Sequence, residues 1–221
     1  MWSGGKDATL ALDVLHSQSP RRVGALLTTV VAETERVTMH GTPLRLIRQQ
    51  ARALNLPLHV MRVPPRPSNE VYEARLEAAL TPLLNAGLST VVAGDLFLED
   101  VRRDREDAIE ALGARALFPL WQRDPMWLAQ RFLERGYQAV ATSVDTTQLG
   151  ASFAGRAYDT SFLEALPSSV DPCGEHGAFH TFVTDGPPFE TAVPVAVVGE
   201  EVGERMHKVH LRPTDADNPF A

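Results

Sequence analysis

The sequence predicts an α/β fold with a parallel sheet, followed by a smaller C-terminal subdomain. Strand-like and helix-like runs alternate as far as about residue 145, the pattern of parallel strands joined by crossover helices. Residues 23–31 (VGALLTTVV) form a nearly continuous β-branched and apolar run, as a strand buried on both faces requires. Beyond residue 145 helical periodicity fades while glycine and proline become frequent. The chain therefore divides into residues 1–145 and a subdomain over 146–221.

The elements follow in order. Residues 7–18 carry Leu10, Leu12, Val14 and Leu15 at helical spacing. After the strand at 23–31, residues 43–54 repeat Leu44, Ile47, Ala51 and Leu54, with Pro43 suited to a first helical turn. A short strand at 58–63 stops at Pro64-Pro65, and a helix spans 69–84 with Asn69 as its cap. A buried strand at 90–93 leads to Gly94-Asp95, then come a helix at 99–112 and a strand at 116–118. A helix at 125–135 and a strand at 138–142 complete the alternation and end at Ser143-Val144-Asp145. The subdomain reads as a short helix at 161–166 and strands at 179–183, 192–198 and 208–211, with a polar, frayed tail from Pro213. In parallel sheets of this kind ligands bind beyond the carboxyl ends of strands.

Composition excludes several classes. The 221 residues are 44% apolar with a net charge of −7, and no lysine-rich tract is present. A broad nucleic-acid surface needs basic charge and is disfavoured. The Arg102, Arg103, Arg105 cluster alternates with Asp100, Asp104, Glu106 and Asp107 and reads as a solvated helix face. No apolar run approaches a membrane span, and a single cysteine, Cys173, fits a reducing cytoplasm.

The stretch richest in chemistry is Ser3-Gly4-Gly5-Lys6-Asp7-Ala8, a glycine turn that runs straight into a helix. Adjacent glycines let backbone N–H groups converge on an anion. Lys6 adds a point charge, and the helix N-terminus adds a partial one. The spacing is neither the Walker A pattern nor the dinucleotide fingerprint. A second cluster, residues 171–187 (DPCGEHGAFHTFVTDGP), passes from a glycine turn into a strand. His176 and His180 are four apart, but Gly177 between them breaks any helix that would align them on zinc. Trp121, Trp127 and Phe97 suit core packing better than a cage for a cationic ligand.

The first turn resembles the PP-loop of ATP pyrophosphatases. Together with the second cluster, Met39-His40-Gly41, residues 94–102 (GDLFLEDVR) and Phe118-Pro119-Leu120-Trp121, it resembles the diphthine–ammonia ligase family over nearly the whole chain. The resemblance implies a Rossmann-like PP-loop domain (HUP-type) and a carboxylate-activating amide synthase that uses ATP and Mg²⁺. It implies that Ser3, Gly4, Gly5, Lys6, Asp7 and Ala8 hold the leaving phosphates, with Asp7 at Mg²⁺ directly or through water. Thr28 falls where relatives contact adenosine, and Gly174, Glu175 and His180 line the same site. Glu175 is implied to handle ammonia or its proton, with Lys6, Asp95 and Glu99 as further catalytic residues.

The implied partners are ammonia and a carboxylate, protein-borne or small. The oligomeric state is open, a homodimer included. Two departures stand out: Ala8 replaces the usual Ser, and Ala178 replaces the second Glu of the relatives' GE-x-GE segment. Both favour the rival reading of a nucleotide-binding regulatory protein without ligase activity. A third reading is an amide ligase for a small metabolite. Ala178→Glu is the reciprocal test: gained activity would show that the missing carboxylate is the limiting defect. The PP-loop resemblance also implies a central strand ahead of Ser3, where only Met1 and Trp2 stand, so the natural chain is expected to begin upstream.

Overall fold

The computed structural model describes residues 1–18 and 23–214. The expected frayed tail lies almost wholly outside those residues; Pro213 itself ends a strand. The first half runs α1 (Lys6–Gln18), β1 (Leu26–Val31), β2 (Arg36–Val37), α2 (Leu44–Ala53), β3 (Leu58–Val63), α3 (Asn69–Asn85), β4 (Thr90–Val92), α4 (Glu99–Glu110) and β5 (Arg115–Leu117). The second half has α5 (Pro125–Glu134), β6 (Gln138–Asp145), a 3₁₀ turn (Ala151–Phe153), α6 (Thr160–Ala165), β7 (Phe179–Asp185), β8 (Val195–Val202) and β9 (Met206–Pro213).

The α/β class holds. β1 and β3 pair in parallel from Leu26↔Leu58 to Val31↔Val63, and β4 pairs with β5 in parallel. The parallel strands do not form one continuous sheet, however. They fall into the orders β2-β1-β3 and β4-β5.

Two local expectations are corrected. The cap of α3 is Ser68, whose Oγ accepts from Val71 N–H, and Asn69 is the first helical residue. β6 does not extend the parallel sheet. It lies inside a four-stranded antiparallel sheet ordered β7-β6-β9-β8. The cause is its pairing: Val140 faces Phe182 and Val144 faces Phe179 on β7, while Ser143 faces Lys208 on β9. Its last five residues are all buried, so both faces carry core.

One core joins the two halves. Trp2, Leu10, Val30 and Ile47 from the first half pack in the same cluster as Phe132, Tyr137, Phe179 and Phe182 from the second. A smaller cluster of Leu27, Met61, Val63, Leu76 and Leu80 fills the space between β1, β3 and α3. The joint core positions the site, because it presses β7 against the glycine turn that opens α1.

Candidate functional site

The glycine turn is held from two sides. Gly4 sits at φ +81°, and a Cβ there would lie 2.6 Å from both Gln50 Oε1 and Ile47 Cδ1. No side chain fits, and the left-handed backbone favours glycine independently. Val183 N–H on β7 donates to Gly4 O at 2.9 Å, and Gln50 Nε2 donates to the same carbonyl at 3.0 Å. Gly5 N–H donates to Ser3 Oγ, and Thr9 Oγ donates to Gly5 O, closing the first turn of α1. The end of β4 closes the other side. A Cβ on Gly94 would meet the Asp7 backbone at 2.8 Å, so glycine is what lets the strand end touch the helix start.

Lys6 is only 3% exposed. Its N–H donates to Thr181 Oγ at 3.1 Å. Its Nζ donates to both Asp7 oxygens at 2.9 Å and to Cys173 O, and it stands over the Phe179 ring at 5.5 Å. Burial opposes its charge, but neighbouring Asp7 outweighs that and leaves its pKa above the ordinary lysine value. Burial raises the Asp7 carboxyl against the pull of Lys6. The lysine charge is therefore kept inside the protein, at the base of the turn.

Glu175 lies in the turn between Gly174 and Gly177. Its N–H donates to Asp171 Oδ2 at 2.6 Å, and its Oε1 accepts Leu96 N–H at 3.0 Å. Burial raises its pKa, with the Asp7 and Asp95 charges adding to the effect. This carboxylate thus shares an electrostatic environment with Lys6 and Asp7.

Other predicted residues are placed differently. Asp95 is bound through both oxygens to Arg105 Nη1, so its charge is already matched. Glu99 is exposed in the first turn of α4. Thr28 is buried on β1, and its hydroxyl has no partner. His180 turns its ring to His40, 4.4 Å away, while His176 packs on Phe97 at 5.1 Å, so the two histidines diverge. Burial, with Lys6 and Lys208 nearby, pulls His180 down to about 4. Trp121 takes Arg102 on its face at 4.7 Å, whereas Trp127 is exposed rather than in the core. Cys173 is buried with its thiol pushed up by desolvation, which suits packing and not nucleophilic attack.

Sequence reasoning missed Gln50, Thr181 and a set of buried hydroxyls. The hydroxyls of Thr42 and Thr142 have no hydrogen-bond partner, and the two residues line a small cavity of about 40 Å³ with His40 and Lys208. Gln50 had a signal. It occupies the apolar stripe of α2 between Ile47 and Ala51, where a surface glutamine does not belong.

Ala178 is packed in the core. It is 2% exposed within the core, and its carbonyl accepts Asp145 N–H at 2.8 Å. Ala178→Glu would bury an unpaired carboxyl in a packed space. It is expected to destabilise the protein by about 3 kcal/mol or more, with no gain in activity. Urea unfolding checks this; a variant as stable as the parent would show that the pocket accommodates the acid.

Comparison with known families agrees with this geometry. The diphthamide synthase N-terminal domain model matches residues 1–116, and the diphthamide synthase C-terminal domain model matches residues 124–210. No curated protein matches the chain. The two matched segments are the two that meet at Lys6, one supplying the glycine turn and the other Thr181 and Glu175. The chain belongs to the diphthamide synthase family.

Proposed function

We propose that the protein is an ATP-dependent ligase that adenylates a substrate carboxylate and then amidates it with ammonia. The observation that carries this reading is the contact of Lys6 with both Thr181 Oγ and Cys173 O. It joins an anion cradle to the turn that bears a buried carboxylate. The backbone N–H groups of Ser3 and Gly4 and the Lys6 ammonium receive the β- and γ-phosphates. A substrate carboxylate oxygen attacks the α-phosphorus, the bond to the β-phosphate oxygen breaks, and pyrophosphate leaves. Ammonia then attacks the acyl carbon, the bond to AMP breaks, and the nitrogen loses a proton. Leu96 N–H fixes Oε1 of Glu175, which leaves Oε2 to take that proton.

Among the described residues no group of three or more His, Cys, Asp or Glu could hold a metal alone. Mg²⁺ usually binds through one or two carboxylates, with phosphates and water completing its shell. Asp7, 27% exposed beside the cradle, fits that role. The ion would neutralise phosphate charge there.

The test incubates the protein with ATP, Mg²⁺, ammonium and a panel of carboxylates. AMP and pyrophosphate should appear only when a cognate carboxylate is present. ATP binding without turnover across protein-borne and small carboxylates would instead support the regulatory reading, which Ala8 and Ala178 favour. Glu175→Gln keeps an acceptor for Leu96 N–H, so it should spare fold and ATP affinity. Amide formation should fall about 100-fold or more, the usual scale of general base catalysis. In the parent, activity should drop as pH falls through the raised Glu175 pKa, and the variant should lack that limb. Equal turnover by the variant removes Glu175 from the mechanism.

No helix among the described residues is long and apolar enough to cross a membrane.

A further inference from the structure

The small cavity of about 40 Å³ beside His40 lies where the two halves of the chain meet. Gly41, Thr42 and Pro43 line it from the first half, just ahead of α2, while Thr142 of β6 and Lys208 of β9 line it from the second. None of its lining residues belongs to the turn at residues 3–8. One water in the liquid occupies about 30 Å³, so the cavity admits the tip of a ligand and not its body.

Three polar groups of its lining residues lack a partner. The hydroxyls of Thr42 and Thr142 and the Nδ1 of His40 are buried without a hydrogen bond. The two threonines are only 2% and 4% exposed. Buried polar groups are ordinarily satisfied, and three orphans around one cavity call for an explanation. Thr142 also falls at a break in the β6–β7 ladder, between Ala141 and Ser143. Such irregularities re-aim a side chain.

Charge selects the kind of partner. Lys208 and Arg36 both line the cavity, and Arg36 spends one donor, Nη1, on Gly41 O at 2.8 Å. α2 starts directly after Pro43 with no acid in its first turn, so the positive end of its dipole is unmatched there. Burial pulls His40 and His180, whose rings lie 4.4 Å apart, below the ordinary histidine pKa, so both are neutral at neutral pH. Among the described residues Glu201 is the one acid of the lining, and it is exposed, 4.0 Å from His210 Nε2. Donors and positive charge dominate, which suits an anion and repels a cation.

We propose that this cavity holds a carboxylate of the substrate other than the one that is activated, so that the substrate is an acid with two carboxylates. The occupant rests on the ligase reading; the site does not. The two oxygens of a carboxylate are acceptors only, with lone pairs enough for both hydroxyls and for Lys208. The group is flat, whereas a tetrahedral phosphate is bulkier than the space. Two reasons place the activated carboxylate elsewhere. Its attacking oxygen must meet the α-phosphorus, which a cavity of about 40 Å³ cannot admit. An oxygen whose lone pairs are held by an ammonium and two hydroxyls is also a poor nucleophile.

The first test uses no nucleotide. Imidazole NMR follows His40 and His210 while sodium acetate is added, with inorganic phosphate and methylammonium as probes of other shape and sign. Acetate should shift both resonances and saturate in roughly the millimolar range, the scale expected of so small a ligand. Lys208→Gln and Thr142→Val should each weaken acetate about tenfold, the loss of one such hydrogen bond. Thr142→Val removes an unmet hydroxyl, so it should lose affinity while its urea midpoint stays level or rises; misfolding would lower that midpoint. The second test measures pyrophosphate release with ATP, Mg²⁺ and ammonium across monocarboxylates and dicarboxylates. Diacids should be turned over, and their KM should rise about tenfold in both variants. Imidazoles that ignore acetate, or that answer better to phosphate or methylammonium, overturn the carboxylate site. Turnover of monoacids alone, or a diacid KM that neither variant moves, overturns the assignment of the second acid group. Acetate binding without turnover of any acid upholds the site and counts against the ligase reading instead.

Discussion

Lys6→Met is expected to weaken ATP binding by about 10- to 100-fold, the loss of one charge-assisted hydrogen bond to phosphate at 1.4 kcal/mol per decade. Methionine retains most of the apolar stem, so the Phe179 contact survives in part. The ammonium is lost from Asp7 and from Cys173 O. As a residue at the mouth of a turn, lysine would contribute little to stability. Lys6 is buried instead, so its removal also costs stability. A partly buried Asp7 left without its counter-charge should lower stability by about 1–3 kcal/mol. The two effects are separable: calorimetry well below the melting transition reads affinity, and urea unfolding reads stability. Unchanged ATP affinity would remove Lys6 from the phosphate site even if stability fell. The Asp7 carboxyl should also titrate higher in the variant, because Lys6 is the main influence holding it down.

Most elements were legible because their signals are local. The stripe Leu44, Ile47, Ala51, Leu54 gives α2, and the run at 23–31 contains β1. β2 has only two residues and was not visible as a strand. The sheet that β6 joins could not be read from alternation. An apolar run reports burial on both faces, and antiparallel partners bury it as fully as parallel ones. The glycine turn and Glu175 stood out because glycine and charge are dense there. Asp95 and Glu99 rest on the resemblance alone, and a motif cannot show that Arg105 pairs with one and that the other is exposed. Thr181 was assigned to a strand face. Its use as the acceptor for Lys6 N–H depends on two segments 175 residues apart meeting, and no local signal encodes that.

Gln50→Ala should be the most destabilising change near the site that leaves every predicted ligand in place. Gln50 is fully buried. Its Nε2 donates to Gly4 O at 3.0 Å and to Val183 O at 2.7 Å, and its Oε1 accepts the Trp2 indole N–H at 2.9 Å. It therefore ties α2, β7 and the glycine turn together. Alanine leaves the indole donor and the Val183 carbonyl unpaired, at about 1–3 kcal/mol each, and opens a cavity besides. A total near 4 kcal/mol is a large part of the roughly 5–15 kcal/mol that holds a domain together. ATP affinity should fall with it, because the Gly4 peptide loses one of its two anchors. Gln50→Glu supplies the decisive comparison. A carboxylate can accept from the indole but repels two carbonyl oxygens, so burial and repulsion raise its folded pKa above the unfolded value of about 4.3. A raised folded pKa means that stability is fully present below the unfolded pKa and is lost as pH rises through the folded one. Gln50→Glu should therefore be weak at neutral pH and regain stability on acidification, when the protonated acid donates once more. Gln50→Ala has no titrating group at this position and should show no such gain relative to the parent. Parallel pH–stability curves for the two variants would show that the hydrogen bonds of Gln50 do not hold the turn.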